Sequence, residues 1–229
     1  MPPKQFDTVW KAEPHTIAKI ALLSAYLKAW FSILGTKRQG QEILYIDGFA
    51  GPGEYSNHPT GSPIAALNAA QSALISHIAR WKAGDVYCAF VDEDPARIKN
   101  LQSKLTAFKT HPRVHPSTHA MTFVDGLAAI KAARPRPFTQ PDPLFVFIDP
   151  FGATGAPFTA VAEILRSPSS EVLINLDADG IARIFRAGDD AKRDVVLTEI
   201  FGDTSWQTRL SFDAVFNFLC RQVLDLYKR

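Results

Sequence analysis

Four short stretches of this chain are apolar almost without a break, and each runs into an acid: EILYIDG, VYCAFVDED, PLFVFIDP and EVLINLD. A strand with one wet face alternates apolar and polar residues, whereas an unbroken apolar strand is expected where helices cover both faces of a parallel sheet. Helical patterns fill the intervals. GSPIAALNAAQSALISHIARW opens with Ser62 as cap and Pro63 in the first turn, and PARIKNLQSKL starts a helix at about Pro95. The strands are expected at about 43–47, 86–91, 144–148 and 172–176, with a weaker one around Met121 to Val124. The alternation predicts an α/β fold with an open, doubly wound, mainly parallel sheet.

Ahead of the first strand, Pro14 can open a helix. Ile17, Ile20, Leu23, Leu27 and Phe31 recur with helical spacing until Gly35. The chain is therefore divided into an N-terminal helical cap over 1–40 and an α/β domain over 41–229. Its 229 residues suit one large domain, and 46% hydrophobic content supplies a core without staples. Cys88 and Cys220 are far apart in apolar surroundings, which excludes a disulfide framework or a zinc site. No apolar run is read as approaching a membrane span, and MPPKQFDTVWK is no signal peptide. A soluble cytoplasmic protein is expected.

Asp47, Asp92, Asp125, Asp149 and Asp177 are each placed just past the carboxyl end of an expected strand. In an open α/β sheet those ends share one edge, where ligands bind. Any one such Asp is as readily a helix cap; five along one edge suggest a site. The loop after the first strand, Asp47-Gly48-Phe49-Ala50-Gly51-Pro52-Gly53, lets backbone approach a ligand closely. It meets the dinucleotide fingerprint only in part, because Ser56 stands where a third glycine belongs, and no Walker lysine is present. An acid ahead of the glycines opposes a pyrophosphate and favours a cation. S-adenosylmethionine, with its ammonium and sulfonium, suits Asp47 better than NAD.

These residues resemble motif I of the class I S-adenosylmethionine-dependent methyltransferases, a Rossmann-like fold. The resemblance implies that Asp47, Gly48, Phe49, Ala50, Gly51 and Gly53 hold the cofactor. It gives Asp92 and Glu93 the ribose hydroxyls and Asp125 the adenine. Asp149-Pro150-Phe151-Gly152 resembles the D/N-P-P-Y/F motif of enzymes that methylate exocyclic amines of nucleobases. It implies that Asp149 and the Pro150 carbonyl accept the amine's hydrogen bonds while Phe151 stacks on the base.

The order YIDGFAGPGEY, GSPIAAL, FVDEDP, FIDPFG, behind a helix carrying Tyr26-Leu27 and Trp30, is similar to the three-Cys-motif partner proteins (TcmP). These are bacterial methyltransferase-like proteins named for a neighbouring three-cysteine protein. That implies S-adenosylmethionine as cofactor, the three-Cys-motif protein as partner, and methyl transfer to an amine. The alternative is a cofactor-binding scaffold without transfer of its own. DPFG with Ala156-Pro157-Phe158 also resembles a segment of tRNA N2-guanine dimethyltransferases over about ten residues. Two departures stand out. Forty-five positions separate Asp47 from Asp92, and the C-terminal β-hairpin of the fold is apparently missing, GDDAKRDVVLTEIF and DAVFNFLCRQVLDLYKR both reading as helices.

Other constellations carry less. His111, His115 and His119 recur every four residues, but Pro112 and Pro116 exclude a regular helix, so solvated loop histidines are expected rather than a metal site. The segment 97–136 holds eight Lys and Arg against one acid, Asp125. It is either a solvated face or a flank that contacts nucleic-acid phosphates, with Arg183 and Arg186 near the same edge.

Overall fold

The computed structural model describes residues 8–187 and 191–208, together with Asn217 and Arg221. A 24-residue helix, α1 (Pro14–Lys37), leads into β1 (Ile43–Asp47), α2 (Ser62–Ser76), β2 (Val86–Asp92) and α3 (Pro95–Ala107). Then come β3 (Val114–Ala120), α4 (Phe123–Ala133), the short α5 (Arg136–Thr139), β4 (Leu144–Ile148), α6 (Phe158–Leu165) and β5 (Ser170–Ile174). Two helices follow, α7 (Ala178–Arg186) and α8 (Ala191–Phe201), and no strand succeeds β5 among the described residues.

The five strands form one wholly parallel sheet in the order β3-β2-β1-β4-β5. This is a Rossmann-like α/β fold. Successive side chains of a strand point to opposite faces, and over the inner strands β2, β1 and β4 both faces are buried. Ile43, Tyr45, Cys88, Phe90 and Phe145 meet α1, α2 and α3 on one side. Leu44, Ile46, Ala89, Val91, Val146 and Ile148 meet α4, α5 and α6 on the other. β1 and β4 are accordingly buried at every position. A smaller cluster, Ile181, Leu197, Ile200, Phe201 and Trp206, joins α7 to α8.

Several expectations are corrected. The strand placed at Met121 to Val124 lies earlier, at Val114–Ala120, and Phe123 already starts α4. His115 and His119 are thus in a strand, not a loop. Pro116 is tolerated there because β3 is the sheet's edge, where one missing N–H breaks no second ladder. Ser62 is the first residue of α2 rather than its cap, which is Gly61. β5 begins two residues before its expected start. By length and composition α1 is apolar enough to cross a bilayer; in this fold its Leu23, Leu27, Trp30 and Phe31 are core residues. The last expected helix, DAVFNFLCRQVLDLYKR, lies outside the described residues apart from Asn217 and Arg221.

α1 is tied to the opposite end of the sheet's order. Glu171 of β5 accepts hydrogen bonds from Trp30 Nε1 (2.8 Å) and Tyr26 OH (2.5 Å). The two rings pack on Phe145 of β4. These bonds anchor the middle of α1 near the amino end of β5, and the first turns of the helix lie at the carboxyl edge of the sheet.

Candidate functional site

β1 is flanked by β2 and β4, and the chain leaves it for β2 on one side and reaches β4 only later on the other. Such a reversal in strand order opens a crevice at the carboxyl ends. The glycine loop after β1 and the Asp149-Pro150 loop after β4 form its lips. Ala50 N–H donates to Val91 O (2.8 Å) and Gly51 N–H to Asp92 Oδ2 (2.9 Å), so the loop is pinned across the end of β2. Gly51 and Gly53 have φ of +61° and +82°, values that a side chain makes costly. Gly61 N–H donates to Gly53 O (2.8 Å), and a Cβ on Gly61 would stand 2.7 Å from the Gly53 carbonyl carbon.

Asp47 is fully buried behind this loop. Its Oδ1 accepts from Phe49 N–H (3.3 Å); Oδ2 makes no hydrogen bond of good geometry, although the Tyr45 and Ser62 hydroxyls stand near enough to act on the carboxyl. Burial pushes its carboxyl up to about 7, Asp149 and Asp92 push the same way, and the Ser62 hydroxyl and Phe49 N–H oppose them. Tyr45, beneath it, likewise has a hydroxyl with no hydrogen bond of good geometry and is held well above the ordinary phenol range, chiefly by burial.

The crevice encloses about 590 Å³. Phe49, Ala50 and Gly51 line one side, Asp149, Pro150 and Phe151 another, and Asn175 to Asp179 a third. The start of α1 supplies the remaining wall with His15, Thr16, Lys19 and Ile20. Lys19 is the one Lys or Arg among these lining residues. Its Nζ donates to both oxygens of Asp149, at 2.8 and 2.7 Å, and Asn175 Nδ2 donates to Asp149 Oδ1 at 2.7 Å.

An aromatic wall closes the other end. Trp10 meets Tyr55 (5.6 Å between centroids) and Phe151 (5.1 Å), and the Arg97 guanidinium lies 5.1 Å from the Trp10 ring and 4.9 Å from Phe151. The segment before α1 is strapped down by Trp10 O, which accepts from Ser56 N–H (2.9 Å), and by a paired Ala12–Asn57 contact. Beneath Arg97, Asp92 is already engaged. Its Oδ2 holds Gly51 N–H, its Oδ1 holds Asp94 N–H (2.9 Å), and Arg97 lies 3.6 Å away.

Among the residues expected from the sequence, Phe49, Ala50, Gly51, Asp149, Pro150 and Phe151 line the crevice together. Asp47 stands behind them, and Gly48 packs against Phe123 and Gly53 against Leu101. Asp92 braces the loop, and Glu93 is exposed. Asp125 is exposed on the first turn of α4, where its carboxylate accepts from the Thr122 hydroxyl (2.7 Å) and its N–H donates back to that oxygen (3.2 Å), a helix-capping arrangement. Asp177 caps α7 through Gly180 N–H (2.9 Å).

Lys19, Asn175 and Trp10 were missed. Lys19 is the single charge in the apolar run TIAKIALLS, and Asn175 is the polar residue that ends the apolar β5; either interruption was a usable signal. Of the eight basic residues in 97–136, Arg97, Lys104, Arg113, Lys131, Arg134 and Arg136 are ion-paired to acids of this chain. His115 pairs with Asp85 at 2.8 Å, and no cluster of metal-ligating side chains occurs among the described residues.

No family model matches this chain, and no curated protein matches it.

Proposed function

We propose that this protein is an S-adenosylmethionine-dependent methyltransferase that methylates an amine, working with a three-Cys-motif protein. One observation carries the reading. A carboxylate sits wholly buried behind a glycine loop with one oxygen lacking a well-formed hydrogen bond and only neutral hydroxyl and N–H groups recorded as its partners, an arrangement that is costly alone and is offset by a cationic ligand. A pyrophosphate in the same place would add to the cost.

Asp47 and the backbone of Phe49, Ala50 and Gly51 would hold the amino-acid end of the cofactor. Asp92, once it releases Arg97, would serve the ribose. The bound cofactor supplies an electrophilic methyl on sulfur, which leaves as a neutral thioether when the amine nitrogen takes the methyl. Asp149 keeps an acceptor position on Oδ2 beyond its bond to Lys19. It orients the amine's N–H and takes the proton the nitrogen sheds; the Pro150 carbonyl shares the orientation. Holding the lone pair in line and excluding water are the main contributions such a site makes.

Asp149→Asn keeps the shape and removes the charge. With labelled cofactor, bulk tRNA, ribosomal RNA and DNA as acceptors and the three-Cys-motif protein present, turnover should fall by roughly 10²–10⁴ with cofactor affinity nearly unchanged. Loss of cofactor binding would place Asp149 in the cofactor pocket instead. The rival reading, a binding scaffold, is favoured by Asp92 and Asp149 both being engaged within the chain. Wild-type protein that binds the cofactor and transfers methyl to no acceptor would establish it.

A further inference from the structure

We propose that Lys19 determines which amines the crevice accepts: by neutralising Asp149, it selects an uncharged amino group on a planar ring and rejects an alkylammonium. The consequence for catalysis rests on the methyl-transfer reading; the selection itself does not.

Asp149 alone at a crevice wall would attract any cation. Here the ammonium of Lys19 spans both its oxygens and Asn175 donates to Oδ1, and the Lys19 and Asp149 side chains retain only 29% and 22% of their exposure. Partial burial weakens solvent screening, so the pair is a near-neutral unit rather than a free negative charge. What it still offers is specific. An ammonium has three N–H groups, and two are spent on Asp149. Asp149 Oδ2 retains acceptor capacity, and Asn175 Oδ1 has no partner among the described residues. The set is therefore one cationic donor beside two acceptors.

An uncharged –NH₂ next to a ring nitrogen or carbonyl matches it: the amino hydrogens go to the acceptors and the ring acceptor takes the spare N–H of Lys19. An alkylammonium has no acceptor for that N–H and brings a second positive charge to contact distance. The remaining acids of the crevice do not replace Asp149, since Asp177 caps α7 and Asp179 is exposed. The planar ring also has a surface to lie on. Phe151, two residues from Asp149, is 61% exposed, and Trp10 stands at its edge.

Titrations followed by ligand NMR on the full chain test this, with adenosine and cytidine as ring amines and butylamine, a cation at neutral pH, as the alkylammonium. Wild-type protein should bind a nucleoside at least about tenfold more tightly than butylammonium. Lys19→Met should shift that ratio by about tenfold or more toward butylammonium, whereas Lys19→Arg should preserve it. Asn175→Asp keeps Lys19 and adds a charge, so it should shift the ratio the same way even where Lys19→Met fails to fold. Butylammonium preferred by the wild type, no nucleoside bound, or a ratio unmoved in both Lys19→Met and Asn175→Asp would overturn the proposal. Binding of S-adenosylhomocysteine is measured separately by calorimetry; its absence would overturn the methyl-transfer reading and leave the ratio to be judged alone.

Discussion

Asp47 has a cost that depends on pH. Its carboxyl is raised by burial from an ordinary 3.8 to about 7. Stability from keeping it protonated is complete below about pH 4 and is lost as pH rises through about 7, because the unfolded chain ionises first. At about 1.4 kcal/mol per unit the full swing is about 4 kcal/mol. Asp47→Asn should therefore flatten the pH dependence of urea unfolding between about pH 4 and 7 and stabilise the ligand-free protein at the upper end. The same change should weaken S-adenosylmethionine. A variant that retains the wild-type slope would place the titration elsewhere. Gly51 is the other decisive residue. With φ at +61° and Trp10 packed 3.7 Å from its would-be Cβ, Gly51→Val should lower stability by about 1–2 kcal/mol for the left-handed backbone alone and abolish cofactor binding in calorimetry.

α1 acts as a wall of the crevice as much as a cover for the sheet. Its first turns bring His15 and Lys19 to the cleft, and the bonds from Tyr26 and Trp30 to Glu171 hold its register against β5. Trp30 is 5% exposed, so Glu171→Ala would leave a buried indole N–H without an acceptor. The expected loss is about 1–3 kcal/mol in urea unfolding, with Glu171→Gln losing less because its carbonyl still accepts. Equal losses in the two variants would mean that the bond to Trp30 contributes nothing beyond packing. α4 shows the converse case. Asp125, which the resemblance gives to the adenine, also takes part in the start of the helix through Thr122. Thr122→Ala should lower stability by about 1 kcal/mol through loss of the cap.

The described molecule is a wound sheet whose two faces are covered by helices and whose carboxyl edge opens into the crevice. A ligand that binds only the folded state stabilises it by RT ln(1 + [L]/Kd), about 2.7 kcal/mol at a hundredfold excess over Kd. In a chain of this size that raises Tm by about 5–11 °C. S-adenosylhomocysteine should produce such a shift in thermal unfolding and NAD none; the reverse would sink the choice of cofactor made from Asp47 and Ser56.

What the sequence determined alone was everything carried by local pattern. Unbroken apolar runs foretold β1, β2 and β4 buried on both faces, though β5 is only partly buried; Pro14, Pro63 and Pro95 foretold helix starts, and the glycine loop and Asp149 fall together at the edge where the crevice opens. The register of the His-Pro stretch was misread because Pro116 signals a loop unless the strand is known to lie at an edge, and edge position is a property of the sheet order. Tertiary structure alone decided the partners. Lys19 meets Asp149 across 130 positions and Asn175 meets it across 26, while Asp92 spends its oxygens on the glycine loop and on Asp94. Local spacing encodes which residues reach an edge of the sheet. Which charges then neutralise one another depends on the order in which the strands lie side by side and on how α1 is anchored to β5, and no short stretch of the chain contains that information.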